Sequence, residues 1–244
     1  MTLLIDNSNT RTKLAFSVNG ELTSELFVIP TAELTADRLR KELRGYTIEN
    51  VLVCSVVPSA MSEIRSAFEV PVEFLRVVEG LAADFRYETP ATLGADRVAN
   101  VLGGVEKGRF PFVAVDLGTA VTFDVVVPGN RKPCFIGGSI APGLAAMNQY
   151  LSSKTAMLPE VTVSAPCPAI GGSTVAALQS GCFIGFCGMV REVLLRIEKE
   201  LGKRPYVIAT GGDAALLASE LNVFDEVDTL LTFRGLNAAC RNFF

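Results

Sequence analysis

The sequence predicts an α/β fold built as two related halves. Two observations carry that expectation. First, LLIDNSNTRTKLAF (3–16) and VAVDLGTAVTFDVV (113–126) superimpose without gaps at an offset of 110 residues, placing Asp6 on Asp116, Ser8 on Gly118, Asn9 on Thr119 and Thr12 on Thr122. Second, short apolar strand patterns alternate with helical ones around each copy. Charge is scarce where a core is expected: residues 111–190 carry only Asp116, Asp124, Arg131, Lys132, Lys154 and Glu160. A chain of 244 residues, 49% hydrophobic, is long enough to bury roughly 70–75% of its unfolded surface without staples.

Each copy of the repeat reads as an apolar strand, an Asp, a small polar turn and a second, alternating strand. That is a β-hairpin with a carboxylate at its tip. After the first hairpin, 35–43 reads helical and 51–57 reads as a buried strand stopped by Pro58. A helix over 58–68 and a strand over 72–77 follow. The next helix begins near Leu93 and runs to about Leu102, ending at Gly103-Gly104. The turn-rich GGVEKGRFP (103–111) marks a boundary, dividing the chain into domains 1–108 and 109–244.

In the second half 144–151, 175–201 and 213–220 look helical, and 206–209 is a short strand entering Thr210-Gly211-Gly212. Gly181, Gly185 and Gly188 in the long helix predict close packing of another backbone. Residues 161–190 carry no charge, but Pro166, Pro168, Gly171 and Gly172 interrupt them. What remains falls short of the roughly 20 predominantly apolar residues a membrane span needs, so this stretch reads as a small-residue helix in a soluble core.

Composition excludes several function classes. There is no histidine, which removes His-based zinc sites, Ser-His-Asp and Cys-His catalysis and haem ligation together. Proton transfer therefore falls to carboxylate, Lys, Tyr, Cys or water. The formal net charge is −4 and no basic run exceeds three residues, so no nucleic-acid partner is expected. Six cysteines, at 54, 134, 167, 182, 187 and 240, form no CxxC pair and read as reduced, mostly buried thiols. The opening MTLLIDNSNTRTK lacks a signal-peptide pattern, and the expected location is cytoplasmic, with no membrane partner.

Several constellations suit chemistry. A hairpin with Asp at its first turn and Asn, Ser or Thr beyond suits a phosphate chain with a divalent cation, because Mg²⁺ takes one or two carboxylates and fills its other positions with water and phosphate. Turn N–H groups and hydroxyls can hold phosphate oxygens. Two such hairpins facing across a cleft would grip a nucleoside triphosphate from both sides, and Lys13 would reach back onto a phosphate. A merely polar hairpin tip is the plainer alternative for either copy alone. The stretch TPATLGADR (89–97) is either a helix start, with Asp96 complementing the dipole, or a carboxylate base beside an anion-holding guanidinium, Arg97. GGSIAPG (137–143) is a Gly-rich turn ahead of a helix, serving either ligand approach or tight turning. Thr210-Gly211-Gly212-Asp213 is a nucleoside shelf or a plain strand–helix connection. Asp124, among Phe123, Val125 and Val126, calls for a cation or a hydrogen-bonding partner.

Taken together, IDNSNT with Lys13, TPATLGADR, VDLGTAVTFDVV, GGSIAPGL followed by KTAMLP, GGSTVAALQSG, ATGGD and FRGLNAA resemble the type III pantothenate kinases of the acetate kinase/sugar kinase/Hsp70/actin superfamily. The resemblance runs over nearly the whole chain. It implies two ribonuclease-H-like domains related by duplication, a homodimer sharing the pantothenate pocket across its interface, and ATP-dependent phosphorylation of pantothenate with Mg²⁺ and K⁺ or NH₄⁺. It makes Asp96 the general base on the primary hydroxyl of pantothenate. Gly94, Ala95 and Arg97 frame that pocket, with Tyr87 and Thr174 as further contacts. Asp6, Asn7, Ser8, Asn9, Thr10 and Lys13 face the ATP phosphates and Mg²⁺, which Asp6 meets through phosphate or water. Gly118, Thr119 and Thr122 join them, Gly211 and Gly212 carry the nucleoside, and Asp124 serves the monovalent cation.

One position departs from the family pattern D-x-G-N-T, where the glycine is Ser8 here. Serine resists positive φ, so either the backbone sits differently or the hydroxyl takes a ligand role. Two other activities remain open on the sequence: a kinase of this superfamily acting on another hydroxylated acceptor, and a non-catalytic relative acting as an accessory or regulatory factor.

Overall fold

The computed structural model describes residues 1–163 and 168–244; of the cysteines, Cys167 lies outside the described residues, as does Pro166. The chain forms two compact units. The first comprises residues 1–109, 126–136 and 230–244, and the second residues 110–125 and 137–229.

The first unit is built on strands β1 (Thr2–Asn7), β2 (Arg11–Val18), β3 (Glu21–Pro30), β4 (Asn50–Ser55) and β5 (Val72–Phe74), in the order β3-β2-β1-β4-β5. β1 runs antiparallel to β2, with Asp6 opposite Lys13, and parallel to β4. Leu3, Leu4 and Ile5 are wholly buried, as the centre of a two-faced sheet requires. Helix α1 (Ala36–Glu42) starts where Thr35 Oγ1 accepts a hydrogen bond from the Arg38 N–H at 3.1 Å. Helix α2 (Pro58–Ser66) carries Pro58 at its first position, where the missing N–H costs nothing. Leu39 and Ile64 from these helices close over Leu3, Ile5, Phe16 and Val51. Strand β6 (Asp84–Phe85) and helix α3 (Ala95–Val105) complete the N-terminal part.

The second unit contains most of β7 (Phe112–Leu117), β8 (Ala120–Val127) and β9 (Cys134–Pro142), followed by helices α4 (Leu144–Lys154) and α5 (Thr174–Leu201). Strand β10 (Tyr206–Thr210), helix α6 (Ala214–Ala218) and strand β11 (Glu226–Val227) follow. The sheet order is β11-β10-β7-β8-β9-β6. Its first five strands repeat the order of the first sheet, with β9, β8, β7, β10 and β11 in the places of β3, β2, β1, β4 and β5. An offset of 110 carries residues 2–7 onto 112–117, the bounds of β7. The duplication read from fourteen residues thus extends to whole sheets.

Three expectations need correction. The α3 helix does not end at Gly103-Gly104 but runs through both to Val105. The reason is non-local: α7 (Leu231–Ala239) packs on α3 so closely that a Cβ at Gly103 would strike the Leu231 carbonyl, and one at Gly235 the Ala99 carbonyl. Residues 137–142 are not a turn but the outer half of β9, exposed in alternation as a strand face is. Among the described residues Gly181, Gly185 and Gly188 do not mark close packing, since a Cβ at any of them meets nothing there within 4 Å. They give α5 an open face. Its other face places Phe183, Phe186, Cys187 and Val190 in the core of the second unit. The α5 helix is long and apolar enough, by length and composition, to cross a membrane, yet it is seated in that core. The described cysteines form no disulfide, and burial pushes the Cys182 thiol up and the Cys240 thiol to about 11.

Candidate active site

The first hairpin places its polar residues in one network. Asp6 is the buried penultimate residue of β1, and the Lys13 ammonium stands 3.8 Å from its Oδ2. Ser8 Oγ donates to Asp6 Oδ1 at 3.3 Å. Ser8 is not in the left-handed region; Asn19 is the sole non-glycine residue with positive φ among those described. The hydroxyl at the family's glycine position therefore supports the carboxylate without backbone strain. Asn7 directs its amide inward, donating from Nδ2 to Thr12 Oγ1 at 2.8 Å and accepting from Ser55 Oγ at 2.6 Å. Thr31, which the sequence pattern did not single out, ties the turn down by donating to the Ser8 carbonyl at 2.7 Å. Asn9 and Thr10 form the exposed tip.

In the second hairpin, Gly118 and Thr119 form the tip, where the Gly118 N–H donates to the Ala120 carbonyl at 3.2 Å. The Gly143 N–H at the head of α4 donates to the Thr119 carbonyl at 3.0 Å, and the Asp213 N–H to the Leu117 carbonyl at 3.0 Å. The hairpin tip, the start of α4 and the turn after β10 therefore meet. Gly211 makes this possible: its φ is +93°, and a Cβ there would lie 2.5 Å from the Leu117 carbonyl oxygen and 2.6 Å from Asp116 Oδ1. A Cβ at Gly212 would meet open space. Thr122 and Asp124 stand on one face of β8, and Thr122 Oγ1 donates to Asp124 Oδ2 at 3.3 Å. Asp124 is 0% exposed.

Asp96 lies in the first turn of α3, where the Arg97 N–H donates to its Oδ1 at 2.8 Å. Burial raises its carboxyl above the ordinary Asp range, against the opposing pull of that hydrogen bond and of the Arg97 charge. Gly94 is required beside it, because a Cβ there would collide with the carboxylate. Arg97 is 6% exposed, its guanidinium 5.9 Å from the Tyr87 ring and 5.5 Å from that of Phe135. Those two rings stand 5.8 Å apart. The first unit thus gathers Tyr87, Gly94, Ala95, Asp96 and Arg97. Phe135 was not legible in the sequence, because the pairing of β6 with β9 brings it there across fifty residues. Thr174 is the exposed first residue of α5, in the second unit.

These motifs have counterparts. A family model for type III pantothenate kinase matches residues 2–196. A type III pantothenate kinase of Akkermansia muciniphila is 46% identical over 237 residues, covering 97% of each chain. The chain belongs to the type III pantothenate kinase family. Solved structures agree on the fold of this family member. A Campylobacter jejuni protein described as a Baf family transcriptional activator superposes with a TM-score of 0.63 at 21% identity, over 98% of each chain. A ROK family glucokinase of Streptomyces griseus, in complex with glucose and AMPPNP, gives 0.54 at 14% identity, over 99% of this chain and 98% of that one. At such identities the likeness concerns fold alone, a two-domain ribonuclease-H-like architecture.

The family's chemistry asks for oxygen ligands, and those present fit it. No three of His, Cys, Asp and Glu cluster as a metal cage among the described residues. A divalent ion bound chiefly by phosphate and water needs only one or two carboxylates, and Asp6 offers one beside the first hairpin turn. Asp124 with Thr122 presents the hard oxygens that a monovalent cation takes.

Proposed function

We propose that this chain transfers the γ-phosphoryl group of ATP to the primary hydroxyl of pantothenate, giving 4′-phosphopantothenate and ADP, with Asp96 as general base. The observation that carries this reading is the pair Asp96–Arg97: a carboxylate with a raised pKa beside a buried guanidinium held by two aromatic rings. In the reaction the hydroxyl oxygen attacks the γ-phosphorus, the bond to the ADP oxygen breaks, and the hydroxyl proton passes to Asp96. Arg97 binds the pantothenate carboxylate, and Tyr87, Gly94, Ala95 and Thr174 shape the acceptor pocket. Phosphoryl transfer asks the protein mainly for positioning and charge neutralisation. Lys13 and the hairpin residues Asp6, Asn9, Thr10, Gly118, Thr119 and Thr122 supply these on the phosphates. Mg²⁺ bound near Asp6 would neutralise phosphate charge, and K⁺ or NH₄⁺ would sit at Asp124.

The protein acts as a cytoplasmic homodimer. The exposed apolar residues Tyr150, Met157, Ile170, Val175 and Ile184 in the second unit support this. Sedimentation should give twice the chain mass.

The test is ADP release coupled to pantothenate with Mg²⁺ and K⁺, NH₄⁺ or Na⁺. Absence of pantothenate-dependent turnover with every cation overturns the reading. Asp96→Asn should cost at least about 100-fold in kcat with ATP binding retained. The base must be ionised, so activity should fall with acidity through a pKa above the ordinary Asp range. The linkage has the opposite sense for folding. A carboxyl whose pKa is raised in the folded state contributes stability at low pH and loses it as pH rises through that pKa. Asp96→Asn should therefore raise Tm at neutral pH while removing turnover.

A further inference from the structure

Helix α7 touches two parts of the first unit on which the proposed chemistry depends. Strand positions alternate between the faces of a sheet. Leu14 and Phe16 of β2 belong to the core beneath α1 and α2, so Lys13 and Ser17 stand on the other face, as does Asp6, the partner of Lys13. Ser17 is 5% exposed, and its Oγ donates to Asn237 Oδ1 of α7 at 2.5 Å. Asn237 Nδ2 donates to the Gly20 carbonyl at 2.8 Å. Gly20 belongs to the Asn19-Gly20 turn between β2 and β3, where both residues have positive φ, as a tight two-residue hairpin favours. One amide, with both polar atoms used, thus closes on the far end of the strand that carries Lys13.

Towards its N-terminus α7 holds the helix that carries Asp96. Thr232 Oγ1 donates to Asn100 Oδ1 at 2.8 Å, and Asn100 is 0% exposed. Asn100 lies four residues after Asp96, one helical turn along the same face of α3. Glycines on both helices fix their separation, since a Cβ on Gly103 or on Gly235 would strike the backbone of the facing helix. Sliding or rolling of α3 on α7 therefore meets a backbone clash or loses a hydrogen bond. An interior packed this closely transmits a displacement rather than absorbing it.

We propose that α7 is a strut that sets the offset between the base and the cationic hairpin of the first unit. Thr232 and Asn100 form its joint to Asp96, and Asn237 and Ser17 its joint to the strand of Lys13. All four are positioning residues, acting on the reaction through the geometry of Asp96 and Lys13. The inference rests on the reading of Asp96 as the base of a phosphoryl transfer and adds what holds that base in register with the phosphates.

Steady-state kinetics and hydrogen exchange on the full-length protein test it. Thr232→Val and Ser17→Ala break one joint each with little change of shape. A displacement of about 1 Å can cost 100-fold in rate, so each should lower kcat about tenfold with both KM values within about twofold. Thr232→Ser should restore the rate, and Thr232→Val should speed amide exchange over residues 98–102. In an Asp96→Asn background Thr232→Val should change kcat by less than about twofold, because a residue acting through the base has nothing left to position. A bond that merely stabilises the fold would cost the same factor in both backgrounds, and that result would overturn the strut. Unchanged kcat in both single variants at retained Tm would overturn it too; should one variant fail to fold, the other joint decides. Absence of pantothenate-dependent turnover in the unmutated protein, or a near-normal rate for Asp96→Asn, would instead remove the proposed function. Exchange then decides whether α7 holds α3, and unchanged protection in Thr232→Val would overturn that joint.

Discussion

The two hairpins share a backbone plan and differ in where they keep their charge. In the first, Lys13 sits on the outgoing strand with its ammonium near Asp6, at the partly exposed edge of the turn. In the second, the corresponding residue is Phe123, wholly buried, and the charge has moved one position on to Asp124. Position 14 shows the same exchange in reverse, since Leu14 is core where Asp124 is a buried carboxylate. One residue of displacement along a strand turns a side chain from one face to the other. Duplication therefore kept the turn and let the outgoing strands diverge. One presents a cation at a partly exposed position, and the other holds a carboxyl inside.

Substitutions at matched positions can break this contrast, the largest effect coming first. Asp124→Ala removes a buried charge and strands its partners, which costs on the order of 3–5 kcal/mol and should abolish any response of rate to K⁺. Leu14→Ala at the matched position costs about 2–5 kcal/mol as a cavity and should leave the cation response unchanged; parallel denaturation and K⁺ titrations would separate the two. Gly211→Ala comes next. Positive φ and the approach to Leu117 and Asp116 should cost about 1–3 kcal/mol and weaken ATP binding, whereas Gly212→Ala should do neither. Lys13→Met should raise the KM for ATP by roughly tenfold, the worth of one charge-assisted contact. It should change stability by about 1 kcal/mol, because Lys13 is partly exposed and its ammonium stands as far as 3.8 Å from Asp6. Ser8→Gly is the smallest. It removes the hydrogen bond to Asp6 and frees the turn, so kcat should stay within about threefold and stability fall by about 0.5–1.5 kcal/mol; a tenfold gain would show that serine hinders the family reaction.

Much of this plan was legible because it is local. The strand–Asp–turn repeat is carried by adjacent residues, and Thr35 and Pro58 mark the starts of α1 and α2. What escaped depended on distant partners. Gly103 looks like a helix terminator until Leu231 arrives against it. The glycines of α5 have the spacing of a packing stripe, yet a Cβ on any of them would meet nothing within 4 Å among the described residues. Phe135 joins the Tyr87–Arg97 cluster only through strand pairing. The candidate site was read residue by residue from motifs, but the network of Thr31, Ser8 and Asn7 exists only once the strands pair.

The contact between α3 and α7 has a consequence for the growing chain. The first sheet can assemble as soon as its five strands have left the ribosome. The helix that carries Asp96, however, has a groove at Ala99 and Gly103 that is filled only when residues 231–239 are made. Thr232 then donates to Asn100 and Ser17 to Asn237. A nascent chain holding every proposed reactive residue would thus still carry its base on an undocked helix. Competence for phosphoryl transfer would wait until α7 closes on α3.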